Sequence, residues 1–197
     1  MRFTRLLPAA FVSALLLLTS CSGHGSHSTN AASPTTTVAG AVPATAADID
    51  FARGMLAHHQ QAIEMADLAL AARSGSSAGV LDLATRIKAA QGPEIDEMKQ
   101  WLVSWGQPTV MADHDGHDMG SMDGMMSDGD MKKLASATGG AFDQLWLTMM
   151  IEHHQGAVTE ATKVKTSGSD PRVLALADEI VATQQREITE MQALLGN

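Results

Sequence analysis

Two histidine pairs, each inside a strongly helical segment, are the residues of this sequence best suited to chemistry. Residues 55–63 read Met-Leu-Ala-His-His-Gln-Gln-Ala-Ile, and a close copy, Met-Ile-Glu-His-His-Gln-Gly-Ala-Val, occupies 150–158. Neutral imidazole is a common ligand of copper, zinc and nickel, so the doublets predict a metal centre. Its candidate ligands are four histidines: His58, His59, His153 and His154.

The helical positions of the doublets place both histidines beside the buried face. Each residue of an α-helix turns by about 100°, so His58 falls at about −60° from Met55 and His59 at about +40°. Apolar residues such as Phe51 and Ala62 fill the arc between them. Each doublet therefore flanks the buried seam of its helix, and the second copy repeats the pattern.

The helix that follows each doublet has polar residues at a corresponding level. Gln91 lies within an apolar stripe with Glu94 on its flank, and Gln184 and Glu187 hold the same places in the second copy. A glutamine in an apolar seam needs a partner. We therefore predict a polar belt of four His, two Gln and two Glu across the middle of the fold. Its further candidate metal ligands are Glu94, Glu187, Met55, Met98, Met150 and Met191.

The two copies of the doublet belong to a longer internal repeat. Residues around the doublets match with an offset of 95, and residues of the segments that follow match with an offset of 93. Each half predicts a helical hairpin, over 48–105 and 139–196, and a linker over 106–138 joins them. Neither hairpin can bury its apolar stripe alone, so we predict one all-α four-helix bundle over 48–196, with a long crossover linker.

Capping and breaking residues set the expected helix bounds. Thr45, Ser127 and Asp170 are the expected N-caps. Pro93 should kink or interrupt its helix, and the glycines that start at Gly139 should break the chain. The pattern predicts helices over 48–73, 78–105, 128–137, 141–166 and 171–195.

The linker has a metal-binding composition of its own. Residues 111–126 contain five Met, two His and four Asp in 16 residues. Thioether sulfur suits Cu(I) and imidazole suits Cu(II), so copper is the expected metal, with zinc as a further candidate. The alternative is an acidic connector with incidental methionines. The secondary candidate ligands are His114, His117, Met119, Met122, Met125 and Met126.

The N-terminus has the features of a lipoprotein signal peptide. Two arginines precede an apolar run that is too short to span a bilayer. The run ends in Leu-Thr-Ser-Cys at 18–21, which resembles the bacterial lipobox and implies lipid attachment to Cys21. We predict a signal peptide over 1–20, and a lipidated cysteine with a flexible tether over 21–47. The protein is then extracytoplasmic and anchored to the cell membrane, whereas an ordinary secretory signal would export it without the anchor.

Charge and motif content exclude several functions. The net charge is −9 and becomes −11 without residues 1–20, and the chain has no basic run. Such a chain is a poor nucleic-acid binder. The Glu-x-x-His motif of di-iron bundles is missing, and we find neither a nucleophile–base pair nor a phosphate loop. We therefore predict no nucleic-acid partner, no catalytic residue and no enzymatic activity.

These motifs resemble the bacterial domain-of-unknown-function 305 family over about residues 48–196. The resemblance implies a ferritin-like four-helix bundle, export and, for some members, periplasmic copper binding and resistance. It implies metal roles for the four histidines and the matching methionines. The motifs that carry it are Phe51-x3-Met55-x2-His58-His59, Gln91-x2-Glu94-Ile95-x2-Met98, Gly124-Met125-Met126-Ser127 and Met149-Met150-Ile151-x-His153-His154.

One departure from the repeat bears on the site. Thr159 and Glu160 stand where the first half has Glu64 and Met65, so the two half-sites are not expected to be equivalent. Three functions remain open. The favoured one is a membrane-anchored protein that sequesters or hands on copper. The others are a metal-dependent oxidoreductase and a structural or signalling lipoprotein with a metal-free His–Glu core network.

Overall fold

Helices form the whole regular structure of the described residues. The computed structural model describes residues 43–71, 75–109 and 123–196. Within them there is no strand, and the all-α prediction is confirmed. The predicted signal peptide, the lipidation at Cys21 and most of the tether lie outside the described residues. The helices are α1 (Ala46–Leu70), α2 (Ala78–Ser104), α3 (Asp128–Ser136), α4 (Gly139–Ser167) and α5 (Pro171–Leu195).

The expected caps form, and the chain breaks between α3 and α4 as expected. Thr45 and Ser127 each close a capping box, and the Asp170 side chain accepts the Arg172 N–H. Pro93 does not interrupt α2, because it lies on the exposed face, where water can replace the missing hydrogen bond. Gly139, with a φ of 59°, makes the turn from α3 and begins α4 two residues before the predicted residue 141. At its C-terminus α1 ends at Leu70, ahead of the predicted residue 73.

Two aspartates lock the hairpins α1–α2 and α4–α5 together. Asp48, at the start of α1, accepts the N–H groups of Ser169 and Asp170 in the α4–α5 turn. Its repeat equivalent Asp143, at the start of α4, accepts the Ser77 N–H in the α1–α2 turn. The start of each helix thus lies beside the turn of the opposite hairpin. Helices α1 and α4 are therefore antiparallel neighbours, related by an approximate two-fold axis.

The ends of the linker lie at opposite ends of the bundle. The α2 end lies beside the α5 start, where the Arg172 guanidinium stacks over the rings of Trp101 and Trp105. The α4 start lies beside the α1–α2 turn. The helices that the linker joins thus meet it at opposite ends of the bundle, as a ferritin-like crossover connection requires. None of the described helices combines the length and the apolar character needed to cross a membrane.

The apolar core is divided into two clusters. One contains Ala62, Met65 and Trp146, and the Trp146 indole donates to the Met65 carbonyl at 2.9 Å. The other contains Phe51 and Trp101. The level between the clusters along α1 and α4 is occupied by the two histidine doublets. The core is therefore interrupted at mid-height by the predicted belt.

Candidate metal centre

The four histidines meet where α1 and α4 pack together. His58 is 1% exposed and the other three are fully buried, so both doublets face inward as the helical angles predicted. The rings of His58 and His153 lie across the two-fold axis with centroids 3.6 Å apart and an interplanar angle of 39°. His59 and His154 flank this pair, with their rings 6.5 and 6.4 Å from their sequence neighbours.

Each outer histidine is held by a glutamate of the following helix. His59 Nε2 lies 2.7 Å from Glu94 Oε2, and His154 Nε2 lies 2.8 Å from Glu187 Oε2. An ionised carboxylate can only accept, so Nε2 of each ring is the donor in these two hydrogen bonds. The two glutamates, predicted as metal ligands, are engaged with the rings in this structure. Carboxylate partners of this kind commonly orient metal-binding histidines.

Burial keeps the central pair neutral. The pKa of His58 is lowered to about 3, mainly by burial and in smaller part by His59 and His154, while the Asp123 backbone opposes the change. Burial likewise lowers the pKa of His153 well below its usual range, with a second contribution from His58. Both rings therefore have an unprotonated nitrogen at neutral pH, which is the form that binds metal ions.

The belt contains many buried polar atoms without a hydrogen-bond partner among the described residues. Both ring nitrogens of His58 and His153 are of this kind, and so are both amide atoms of Gln91. The expectation that Gln91 and Gln184 would find partners is therefore not met for Gln91, and the Gln184 Oε1 is also unpaired. An unmade bond of this kind costs about 1–3 kcal/mol. The remaining unpaired belt atoms are His59 Nδ1 and His154 Nδ1.

The rings do not converge on one point as they lie. Among the described residues, no group of three or more His, Cys, Asp or Glu side chains has the spacing of a metal site. The rings of His58 and His153 instead lie against each other, with their centroids 3.6 Å apart and their planes tilted by 39°. Binding of an ion by three or four of these groups would require the rings to turn about their side-chain bonds.

The belt methionines are distributed on both sides of the histidines. Met55 and Met98 belong to one apolar cluster, with 1% and 0% exposure. Met150 and Met191 are fully buried in the other. The two pairs occupy equivalent places in the repeat. Their packing fits core residues, and their thioethers border the belt from above and below.

A segment of the linker just before α3 is docked beside the belt, and the sequence did not predict this. We call residues 123–126 the strap. Gln61 of α1 accepts the Met126 N–H at 2.7 Å and donates to the Met126 carbonyl at 2.9 Å. The Met126 side chain packs in the core with 9% exposure, and Met125 is half-buried. Of the other predicted linker ligands, His114, His117, Met119 and Met122 lie outside the described residues.

The expected difference between the half-sites is confined to their surroundings. Met65 is fully buried, whereas its equivalent Glu160 is half-buried. The histidine–glutamate pairs themselves have nearly the same geometry in both halves. The belt is therefore approximately two-fold symmetric at its centre.

These features define a four-helix bundle with a buried histidine cluster between its two hairpins, and bundles of this class can hold metal ions in their core. Residues 48–195 match the family described as a domain of unknown function, DUF305. The chain belongs to the DUF305 family.

Solved structures of other proteins share this fold. A DUF305 fragment from Deinococcus radiodurans is 33% identical, with a TM-score of 0.69, and the match covers 79% of this chain and 99% of that one. A DUF305 protein from Streptomyces coelicolor, whose name assigns it to the secreted proteins, is 36% identical with a TM-score of 0.68. That match covers 76% of this chain and 92% of the other.

A third similar structure contains a metal. CopM in its Cu(II)-bound form is 35% identical with a TM-score of 0.63, and the match covers 76% of this chain and 96% of CopM. CopM is also known in Cu(I)-bound and Ag-bound forms. An uncharacterized protein, L153, of Acanthamoeba polyphaga mimivirus is 40% identical over 53 residues. The chain spans only 35% of the length of that protein.

Proposed function

We propose that this protein binds copper, with the histidine belt as its principal binding centre, and that it sequesters copper or hands it on outside the cytoplasm. The observation that carries the proposal is the set of unpaired ring nitrogens at the belt. His58 and His153 each have two buried nitrogens without a partner, and burial lowers the pKa of both rings. Burying a ring nitrogen without a hydrogen-bond partner costs free energy. Neutral rings with such nitrogens are suited to binding a metal ion.

The donor set fits copper. Imidazole nitrogen is a ligand for Cu(II), and thioether sulfur is a ligand for Cu(I). The four histidines would hold the ion, while Glu94 and Glu187 orient the outer rings through Nε2. Met55 and Met150 border the histidines and supply soft donors for Cu(I). The copper and silver forms of CopM support this choice of metal, and nothing in those neighbours supports zinc.

The linker and the N-terminus complete the proposal. The methionines and histidines of the Met/His/Asp-rich stretch at 111–122 would supply further copper ligands. Lipid on Cys21 would hold the protein at the outer face of the membrane, with residues 22–47 as the tether. Extracytoplasmic placement agrees with the assignment of the Streptomyces coelicolor relative to the secreted proteins.

Copper titration of residues 22–197 tests the belt against the linker. One variant combines His58→Leu with His153→Leu, which removes the central ring nitrogens but retains similar volume. A second replaces the Met and His residues of 111–122 by Ser and leaves the strap intact. The control, Gln60→Ala with Gln155→Ala, alters exposed residues on the same helical turns.

We expect the histidine variant to lose the tightest copper site and the control to retain it. Circular dichroism must show that the histidine variant stays folded. Full stoichiometry and affinity in a folded histidine variant would refute the belt as the copper centre. Loss of all tight binding in the serine variant alone would make the linker the binder.

A second candidate function is a metal-free core network. The hydrogen-bonded pairs His59–Glu94 and His154–Glu187, and the stacked central rings, already form a defined arrangement. A protein that folds with the same stability in the presence and absence of copper, and that binds none, would favour this function over copper binding.

A further inference from the structure

The strap is packed unusually tightly against α4. A Cβ atom added to Gly156 would lie 1.9 Å from the Asp123 carbonyl oxygen and 2.9 Å from the Gly124 Cα. Gly124 has a φ of 82°, and a Cβ there would meet the Glu152 carbonyl oxygen at 2.6 Å. Two glycines thus allow two backbones to touch at the turn of α4 that contains His153.

The opposite edge of the strap is fastened to α1. Gln61 forms two hydrogen bonds with the main chain of Met126, and the Met126 side chain enters the core. Gln61 is only two residues from His59. The strap is therefore held on both sides. On α1 the Gln61 side chain forms hydrogen bonds with it, and on α4 the lack of a side chain at Gly156 lets its backbone pack closely.

The internal repeat singles out the same two positions. With the offset of 95, Gln61 and Gly156 are equivalent residues, and they directly follow the matched pair Gln60 and Gln155. The matched glutamines are exposed, whereas the unmatched pair contacts the strap. A single strap cannot obey the two-fold symmetry of the bundle. The two helices therefore need different residues where it docks.

The docked strap reaches the central histidines. Gln61 lies three residues after His58 on α1, and Gly156 lies three residues after His153 on α4. Residues three apart share one face of a helix, so the strap crosses the turns that carry both central rings. The main chain of Asp123 and Gly124 is the part of the strap that Gly156 accommodates.

We propose that Gln61 and Gly156 are positioning residues that seat the strap over His58, so that the strap covers this ring and limits the exchange of copper at the His58–His153 pair. The inference rests on the proposed copper function. It predicts that a displaced strap leaves the fold intact but makes the central rings more accessible and any bound copper faster to leave.

The test uses residues 22–197 with two displacing variants and one control. Gly156→Ala forces the strap away from α4, and Gln61→Met removes both hydrogen bonds while retaining length. Gly140→Ala is the matched control, because it lies in the same helix and its Cβ would meet nothing within 4 Å. The first measurement is the rate at which diethyl pyrocarbonate modifies His58 in metal-free protein, followed by tandem mass spectrometry.

We expect modification about tenfold faster in each displacing variant, the factor that corresponds to about 1.4 kcal/mol, and an unchanged rate in the control. Copper loaded as Cu(II) should leave to a chelator faster by a similar factor, with an altered electron paramagnetic resonance spectrum. The double variant should be no faster than the more affected single variant, because both substitutions release the same strap.

The outcomes separate this inference from the proposed function. Wild-type modification rates in folded Gln61→Met and Gly156→Ala proteins would overturn the inference, whatever the copper result. If Gly156→Ala does not fold, Gln61→Met decides alone. A wild type that holds no copper at the belt would overturn the proposed function, even if the modification rates differ as expected.

Discussion

Acidification of the metal-free protein should destabilise it through the central histidine pair. The pKa of His58 is about 3 in the folded protein because burial disfavours the charged ring, whereas an unfolded histidine titrates near about 6.5. The pKa of His153 is lowered for the same main reason. The unfolded chain therefore takes up these protons first. Above the pKa of the unfolded chain these protons do not affect the free energy of unfolding. As the pH falls from there toward the pKa of the folded protein, the free energy of unfolding decreases.

The size of the effect follows from this difference. Between pH of about 7.5 and about 5.5, one histidine that titrates only in the unfolded state lowers the free energy of unfolding by about 1.4 kcal/mol. His58 and His153 together should lower it by about 3 kcal/mol. This is a large part of the roughly 5–15 kcal/mol that stabilises a typical domain.

Urea unfolding followed by circular dichroism measures this loss. Wild type and the His58→Leu/His153→Leu variant are compared at both pH values with a chelator present, and Gln60→Ala/Gln155→Ala is the control. The histidine variant should lose about 3 kcal/mol less than wild type between the two pH values. An equal loss in the two proteins would show that the central rings are not held neutral by burial, and would refute our reasoning about the belt.

Three other substitutions test separate parts of the structure. Asp48→Asn should lower the free energy of unfolding by about 2 kcal/mol, because it weakens charge-assisted bonds to the α4–α5 turn; thermal melting measures this, and an unchanged midpoint would contradict the role of this contact. Gly140→Ala should stabilise α4 by about 0.4–1 kcal/mol, since its Cβ meets nothing within 4 Å; a lower midpoint would contradict this. Glu187→Gln should weaken copper binding by about 10–100-fold by releasing His154, and calorimetry showing unchanged affinity would dismiss it as a positioning group.

The fold was largely predictable because local signals and the repeat agree. Thr45 and Asp170 cap where their side chains can reach free N–H groups, and the apolar period sets the buried face of each helix. The residue types alone could not predict whether Pro93 interrupts its helix or whether Gly139 ends one helix or begins the next. The effect of a proline or glycine depends on whether its surroundings expose it or need its conformation, and that context is tertiary.

The sequence predicted which way the histidines of the candidate site face, but not how their rings are arranged. Helical angles place His58 and His153 inward, yet the stacking of their rings depends on side-chain torsions that a sequence does not report. The contacts of Asp48 and Asp143 with the opposite hairpin had a signal in the sequence, because the repeat keeps an aspartate at the start of both helices. The strap also had a signal in the mismatch of the repeat at Gly156. Its meaning required knowledge of what packs against that glycine.

Anomalous X-ray diffraction at the copper edge, from copper-loaded crystals of residues 22–197, tests the central claim most directly. We predict an anomalous peak where α1 and α4 pack together, within bonding distance of the rings of His58 and His153, with these rings turned out of their 3.6 Å contact. Copper found only at residues 111–122, with the rings still stacked and no peak between them, would contradict it.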